Sequence, residues 1–169
     1  MDDMNLNAYC VMCRTGSEHL AVQSINQSYS DVTALAPLKT IPEKHRGQWQ
    51  SRDQILLPGY IFIYTDGELP HDLRQKTNHL YKVLQYERGI RALTGSDADY
   101  AMWVFKHHGK IELSTVLVEG GQIKVVSGPL LDFEGKIVKL DKHKRRAWVE
   151  FDFDGQKKTV CVGAECLTS

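Results

Sequence analysis

The stretch GPLLDFEGKIVKLDKHKRRAWVEF, residues 128–151, decides how the C-terminal third of this 169-residue chain folds. Gly128 and Pro129 punctuate the backbone, and the runs GKIVKL and RAWVEFDF are β-branched or aromatic around a polar turn, which predicts a β-hairpin. QIKVVSG upstream and KKTVCVG downstream have the same texture, so residues 119–169 are expected to form a compact all-β unit. A unit of about 50 residues is marginal for an independent core, and small barrels of this size fold by closing their sheet. The turn itself carries Lys142, His143, Lys144, Arg145 and Arg146 side by side, although the whole chain balances 21 Lys plus Arg against 21 Asp plus Glu. A neutral chain lacks the broad positive field of a protein that coats nucleic acid, so any polyanion must be held by a local patch.

Before this unit, strands and helices alternate. NAYCVMCRT is β-prone and runs into TGSEHLAVQSINQSY, where Leu20, Ala21, Ile25 and Tyr29 recur at helical spacing. Thr15 and Glu18 there predict a capping box. VTALAPLKTI predicts a second extended segment, PEKHRGQWQSRDQ a polar loop or hairpin tip, and ILLPGYIFIYT an apolar strand interrupted at Pro58 and Gly59 as at a bulge or strand entry. ELPHDLRQKTNHL predicts a short helix with Pro70 in its first turn, YKVLQY an extended piece, and SDADYAMWVFKHH a last helix capped by Ser96. The order β, α, β, β, α, β, α suits a ferredoxin-like sheet with helices packed on one face. The expected fold class is therefore α+β, with a ferredoxin-like domain over residues 1–108, a linker over 109–118 and a small all-β barrel over 119–169.

No apolar run reaches the roughly 18–20 residues needed to cross a bilayer, and MDDMNLNAYC has neither a basic leader nor an apolar core for export. A cytoplasmic protein without membrane contact is expected. Cys10, Cys13, Cys161 and Cys166 could be written as a four-thiolate zinc site, but AYCVMCR offers no turn between paired ligands. In a strand, positions three apart face opposite ways, so buried free thiols are the expectation, with no metal and no cofactor. The chain contains no nucleophile elbow, phosphate-cradling glycine loop or H-E-x-x-H helix, which points to a binding protein rather than an enzyme.

Two groups of residues are candidates for binding. In LLPGYIFIY, Leu57, Tyr60 and Phe62 would crowd near a sheet corner, either as core residues or as anchors for a partner's helix. In the basic hairpin, Lys136, Lys139, Lys142, Lys144, Arg145 and Arg146 face only Asp141, and His143 joins them when protonated. Such a run can be a solvated turn. As a binding site, a rigid hairpin presents its cations without first ordering a tail, and arginine forks grip phosphate or a guanine edge. A structured RNA hairpin is the partner such a patch can hold by shape. Arg14 before the first helix, and the cluster Lys44, His45 and Arg46, are candidates to extend it.

AYCVMCRTGSEHLAV, LLPGYIFIY and GGQIKVVSGPLLDFEGKIVKLDKHKRRAWVEF resemble, in order and spacing, the signatures of the NusG family of transcription elongation factors. Gly128, Pro129, Phe133 and Gly135 look like its glycine-centred KOW motif, and Pro58, Gly59 and Tyr60 like its N-terminal signature. The resemblance implies an NGN domain followed by an SH3-like KOW barrel. CRTG and HKRRAWVEFDFDGQKKTVCVG look more like a specialised, operon-targeted antiterminator branch than like the housekeeping factor. By that resemblance, Leu57, Pro58, Tyr60 and Phe62 dock on the β′ clamp helices of RNA polymerase. The basic residues hold an RNA hairpin in the leader of a target operon. Leu57 stands where the family often has Phe, and PHDL stands where one paralog has a His-Thr-Thr motif that contacts the polymerase, leaving His71 as the candidate there. A monomer is expected, and the alternative is a general elongation factor whose barrel binds the ribosome or a termination factor.

Overall fold

The computed structural model describes residues 6–167. Residues 1–5, on which the expectation about export partly rests, lie outside the described residues. The first elements are β1 Asn7–Cys13, α1 Glu18–Ser28, β2 Thr33–Leu35, β3 Leu38–His45, β4 Gln48–Ile55, β5 Tyr60–Thr65, α2 Leu73–Lys76, β6 Leu80–Val83 and α3 Gly95–Lys106. There follow β7 Lys110–Ile111, β8 Ser114–Glu119, β9 Gln122–Ser127, a 3-10 segment Pro129–Lys136, β10 Ile137–Asp141, β11 Arg146–Phe153 and β12 Gln156–Leu167. They form two compact units, one of Met1–Pro37 with Leu57–Phe105, the other of Leu38–Leu56 with Lys106–Ser169.

In the first unit the sheet order is β2-β5-β1-β6, with β5 antiparallel to both β2 and β1 and β6 antiparallel to β1. Counting only this unit's strands, that is the split βαβ arrangement of a ferredoxin-like sheet. Both sheet faces carry helices, which corrects the expectation of one. Ile61 and Ile63 of β5 join Tyr9, Val11 and Cys13 of β1 against Ala21 and Ile25 of α1 and Leu73 of α2. Phe62 and Tyr64 point the other way, with ring centroids 5.7 Å from Tyr100 and 4.8 Å from Phe105 of α3, and the Tyr64 hydroxyl donates to Ala101 O at 2.6 Å. The physical reason is in β5 itself: YIFIYT does not alternate, and a strand apolar at successive positions buries both faces. Two caps also differ from expectation. The helix α1 starts after Ser17, which makes no side-chain cap bond, so the Thr15–Glu18 box does not form. Ser96 lies inside α3, which begins at Gly95.

In the second unit, β3 and β4 pair along eight residues each, so PEKHRGQWQSRDQ is a long hairpin rather than a loop. Its tip is Arg46-Gly47, with φ of 51° and 79°, the double left-handed turn that matches the twist of paired strands. β3 also pairs in parallel with β7. The larger sheet has the order β10-β11-β12-β8-β9. Strands β7 and β8 occupy much of residues 109–118, where a linker was expected. Strand β12 pairs with β11 from Gln156 to Gly163 and with β8 from Ala164 to Leu167, so it changes partner at Gly163. Gly128 has φ 99°, and a Cβ there would lie 2.6 Å from Ser114 Cα, so the Gly-Pro punctuation marks a close backbone crossing. In this division the 38–56 hairpin goes with the C-terminal strands, whereas the sequence boundary assigned it to 1–108.

Candidate nucleic-acid interface and docking notch

The basic turn is built by the β10–β11 hairpin. Asp141 closes it: its Oδ1 accepts the Lys144 N–H at 3.0 Å, and that bond, ahead of the nearby charges of Lys144 and His143, holds the Asp141 carboxyl below the usual carboxylate range. The turn then passes through Arg145 at φ 56° before β11 begins. Lys142, His143 and Lys144 are exposed, while Arg145 and Arg146 are half-buried. Among the described residues, none of Lys142, Lys144, Arg145 and Arg146 is in an ion pair. The clustered cations are therefore not neutralised by side chains of their own unit.

The structure brings a second basic cluster to this turn. The β3–β4 hairpin packs on β12, where Gly163 admits the Thr40 carbonyl: a Cβ at Gly163 would meet it at 2.6 Å. Lys39 Nζ donates to Cys161 O at 2.7 Å, and burial first, then the Arg146 charge, pull its pKa below the ordinary lysine value. The result is an open cleft of about 380 Å³ lined by Pro42, Glu43, Lys44 and Trp49 from one hairpin and His143, Lys144 and Arg146 from the other. The Arg145 guanidinium lies 4.1 Å from the Trp49 ring centroid, and Lys44 Nζ lies 6.0 Å from it. Arg146 Nε is buried with no hydrogen-bond partner among the described residues. The carboxylate among the lining residues, Glu43, faces Arg52 at 3.7 Å and accepts from Gln54 at 3.4 Å.

Of the other expected cations, Lys139 stacks over Trp148 at 4.6 Å, Lys136 is exposed at the end of the 3-10 segment, Arg46 sits at the tip of its hairpin, and Arg14 is in the first unit. Sequence reasoning missed Trp49, Lys39 and Gly163. The first was signalled only by the alternation KHRGQWQ; the other two depend on a contact far apart in sequence.

The candidate docking notch of the first unit is organised by Glu18. Its carboxylate accepts N–H groups from Gly16 at 2.6 Å and Gly59 at 3.2 Å, tying the β1–α1 turn to the Pro58-Gly59 turn that leads into β5. Burial pushes the Glu18 carboxyl up, but N–H donors from its own residue, Gly59 and Gly16 outweigh this and hold it low. Gly59 has φ 85°, Tyr60 N–H reaches back to Leu57 O at 3.2 Å, and Cys13 N–H donates to Gly59 O at 2.8 Å. Pro58 is exposed and Tyr60 half-buried, whereas Leu57 is 8% exposed and Phe62 0%. Phe62 thus supports the notch from beneath and offers no surface. His71 is exposed on a separate cleft of about 490 Å³ with Arg74, Lys82 and Arg91.

Cys10 and Cys13 are buried, Cys13 in the α1-side core and with its pKa pushed up to about 11 by burial and then by Glu18. That is an inert thiol rather than a redox group. Among the described residues, no group of three or more His, Cys, Asp or Glu gathers to hold a metal ion, and no helix is long and apolar enough to cross a membrane.

The family profile for NusG, described as transcription termination factor nusG, matches residues 7–102. No curated protein matches the chain. A solved structure described as domain interaction in Thermotoga maritima NusG is similar, with 17% identity, 96% of each chain covered and a TM-score of 0.54, a likeness of fold. With the profile spanning more than half of its length and the ferredoxin-like order of β1, β2, β5 and β6 beneath it, the chain belongs to the NusG family of transcription factors.

Proposed function

We propose that this chain is a transcription antitermination factor of the LoaP type, which binds RNA polymerase through the notch of its NGN domain and is recruited by a structured leader RNA through its basic hairpins. Residues 1–108 form the NGN domain and residues 119–169 the SH3-like KOW barrel in this reading. The observation that carries it is the shared cleft of Lys44 with His143, Lys144 and Arg146, where among the described residues neither lysine nor the arginine is in an ion pair, in a chain of formal net charge zero. Pro58 and Tyr60 meet the β′ clamp helices, supported by Leu57 and Phe62. The factor catalyses nothing: by binding one state of the polymerase more tightly it biases the enzyme away from pausing. RNA held by the barrel raises its effective concentration at that polymerase.

Alanine at Lys144, Arg145 and Arg146 together should weaken binding of a leader RNA hairpin and reduce the slope of affinity against salt by about one per lost phosphate contact, with polymerase capture unchanged. Unaltered RNA affinity and slope would overturn the proposal. A second reading, a general elongation factor whose barrel binds another protein, draws on Val126, Leu131 and Val138, each more than half exposed in the C-terminal unit. It predicts that charged substitutions at those three positions abolish ribosome or termination-factor capture while RNA binding is never above that of a scrambled control.

A further inference from the structure

We propose that the cleft between the β3–β4 and β10–β11 hairpins is a subsite for one unpaired nucleotide, its base stacked on Trp49 and its flanking phosphates held by Lys44, Lys144 and Arg146. This inference rests on the RNA-binding reading above and narrows it. A fully paired A-form duplex presents phosphates and 2′-hydroxyls but hides its base faces, so it can use the cations and not the indole. Trp49 lines the cleft and is half-exposed, with the Arg145 guanidinium 4.1 Å from its ring centroid. A planar cation layered on an indole is the arrangement into which a base stacks, because every base has a π-face. The opening, about 380 Å³, lies in the size range of small-ligand sites.

Donors and acceptors fit the same occupant. Arg146, whose Nε is a buried donor with no partner among the described residues, lines the cleft together with Lys144 and Lys44. Glu43 is already engaged by Arg52 and Gln54, so it repels phosphate at one wall while keeping an acceptor for an exocyclic amine of the base. The cleft is thus polarised, with a carboxylate on one hairpin and cations on both. Arg145, whose guanidinium packs on Trp49, has φ 56°, a conformation in which Gly is at ease and Arg is strained. Strain retained at the residue that packs on the cleft's indole is what a pre-organised clamp needs.

The test uses the full-length protein and three RNA probes: a stem with a six-nucleotide unpaired loop, the same stem with its loop residues made abasic one at a time, and a blunt duplex of equal phosphate number. A DNA copy of the loop probe separates ribose recognition from stacking. The wild-type protein should lose about five- to a hundredfold in affinity at one abasic position, and W49A should lose a similar factor for the intact loop but not for the duplex. W49F, which keeps a ring, should bind within a few-fold of wild type and should lack the fluorescence quenching that the loop probe produces. If no abasic substitution weakens binding, or if W49A weakens loop and duplex alike, the subsite is refuted and the phosphate clamp stands. If the wild-type protein binds no probe above background, the RNA-binding reading fails and this inference with it. The abasic series involves no mutant, so failure of W49A to fold leaves the test decisive.

Discussion

Replacing Gly163 by alanine should separate the two halves of the proposed RNA site without touching a residue that binds. The added methyl would sit 2.6 Å from the Thr40 carbonyl, 3.0 Å from Leu113 Cγ and 3.2 Å from Pro42 Cδ, where ordinary contact begins at 3.4 Å. Strand β12 is held on both sides, by β11 and β8, so the β3–β4 hairpin is the part that gives, by about 0.8 Å at Thr40. The neighbouring Lys39 to Cys161 bond then stretches from 2.7 Å to about 3.5 Å, beyond a useful hydrogen bond. Overpacking costs about 1–3 kcal/mol, and loss of a half-exposed charge-assisted bond adds about 1 kcal/mol, so unfolding stability should fall by about 2–4 kcal/mol. Lys44 and Trp49 retreat with the hairpin, and RNA affinity should drop about tenfold or more, with a shallower salt slope. Urea unfolding followed by tryptophan fluorescence and filter binding at two salt concentrations measure both quantities. G155A is the control: Gly155 has φ 69° and open space around its Cβ position, so alanine there brings about 1–2 kcal/mol of local strain and leaves RNA affinity intact. A G163A protein as stable as the wild type, or one binding RNA equally well, would refute the role assigned to the hairpin.

Gly128→Ala should be more damaging still, by about 3–5 kcal/mol in urea unfolding, because φ 99° with ψ −176° is backbone only glycine adopts easily and the methyl would collide with Ser114 Cα and Leu113 O. Phe62→Ala should lower thermal stability by about 3–5 kcal/mol, since the ring is wholly buried against α3, whereas Tyr60→Ala should cost less and instead abolish polymerase capture. For Glu18→Gln, the folded-state carboxyl titrates below its unfolded value, so its stabilisation is complete above the unfolded value and lost as pH falls through the folded one. Wild type should therefore exceed E18Q by about 1–2 kcal/mol near neutral pH, and the gap should close in acid; a gap independent of pH in paired denaturation curves would count against the carboxylate.

Local patterns carried much of this architecture. The split βαβ order was legible because extended and helical stretches alternate from Asn7 to Val83, and the Pro58-Gly59 interruption marked the turn through which the chain enters β5. The second helical layer was not legible, since the apolar run YIFIYT reads the same whether one face or both are covered. The capping box misled because Glu18 is taken by the N–H groups of Gly16, two residues before it, and of Gly59, distant in sequence. The basic turn was plain in sequence; its companion hairpin was not, because nothing local ties Thr40 to Gly163 or Trp49 to Arg145. Non-local backbone contacts of this kind decide which candidate cations share a cleft.

A chain with no net charge can still concentrate a positive field if its carboxylates are spent on holding the hairpins that display the cations. Asp141 accepts the Lys144 N–H and so shapes the turn, and Glu43 turns toward Arg52 and Gln54 on β4. Asp53 pairs with Lys110 at 2.9 Å, joining β4 to β7. Each of these acids lies near the cleft in sequence or in pairing, and each is directed at scaffold rather than at Lys144, Arg145 or Arg146 side chains. The two hairpin tips meanwhile carry arginine at left-handed positions, Arg46 at φ 51° and Arg145 at φ 56°, where glycine or asparagine would fold more comfortably. Retaining arginine at both, at about 1 kcal/mol of strain each, is a poor choice for stability and a good one for presenting guanidinium groups that no carboxylate among the described residues neutralises.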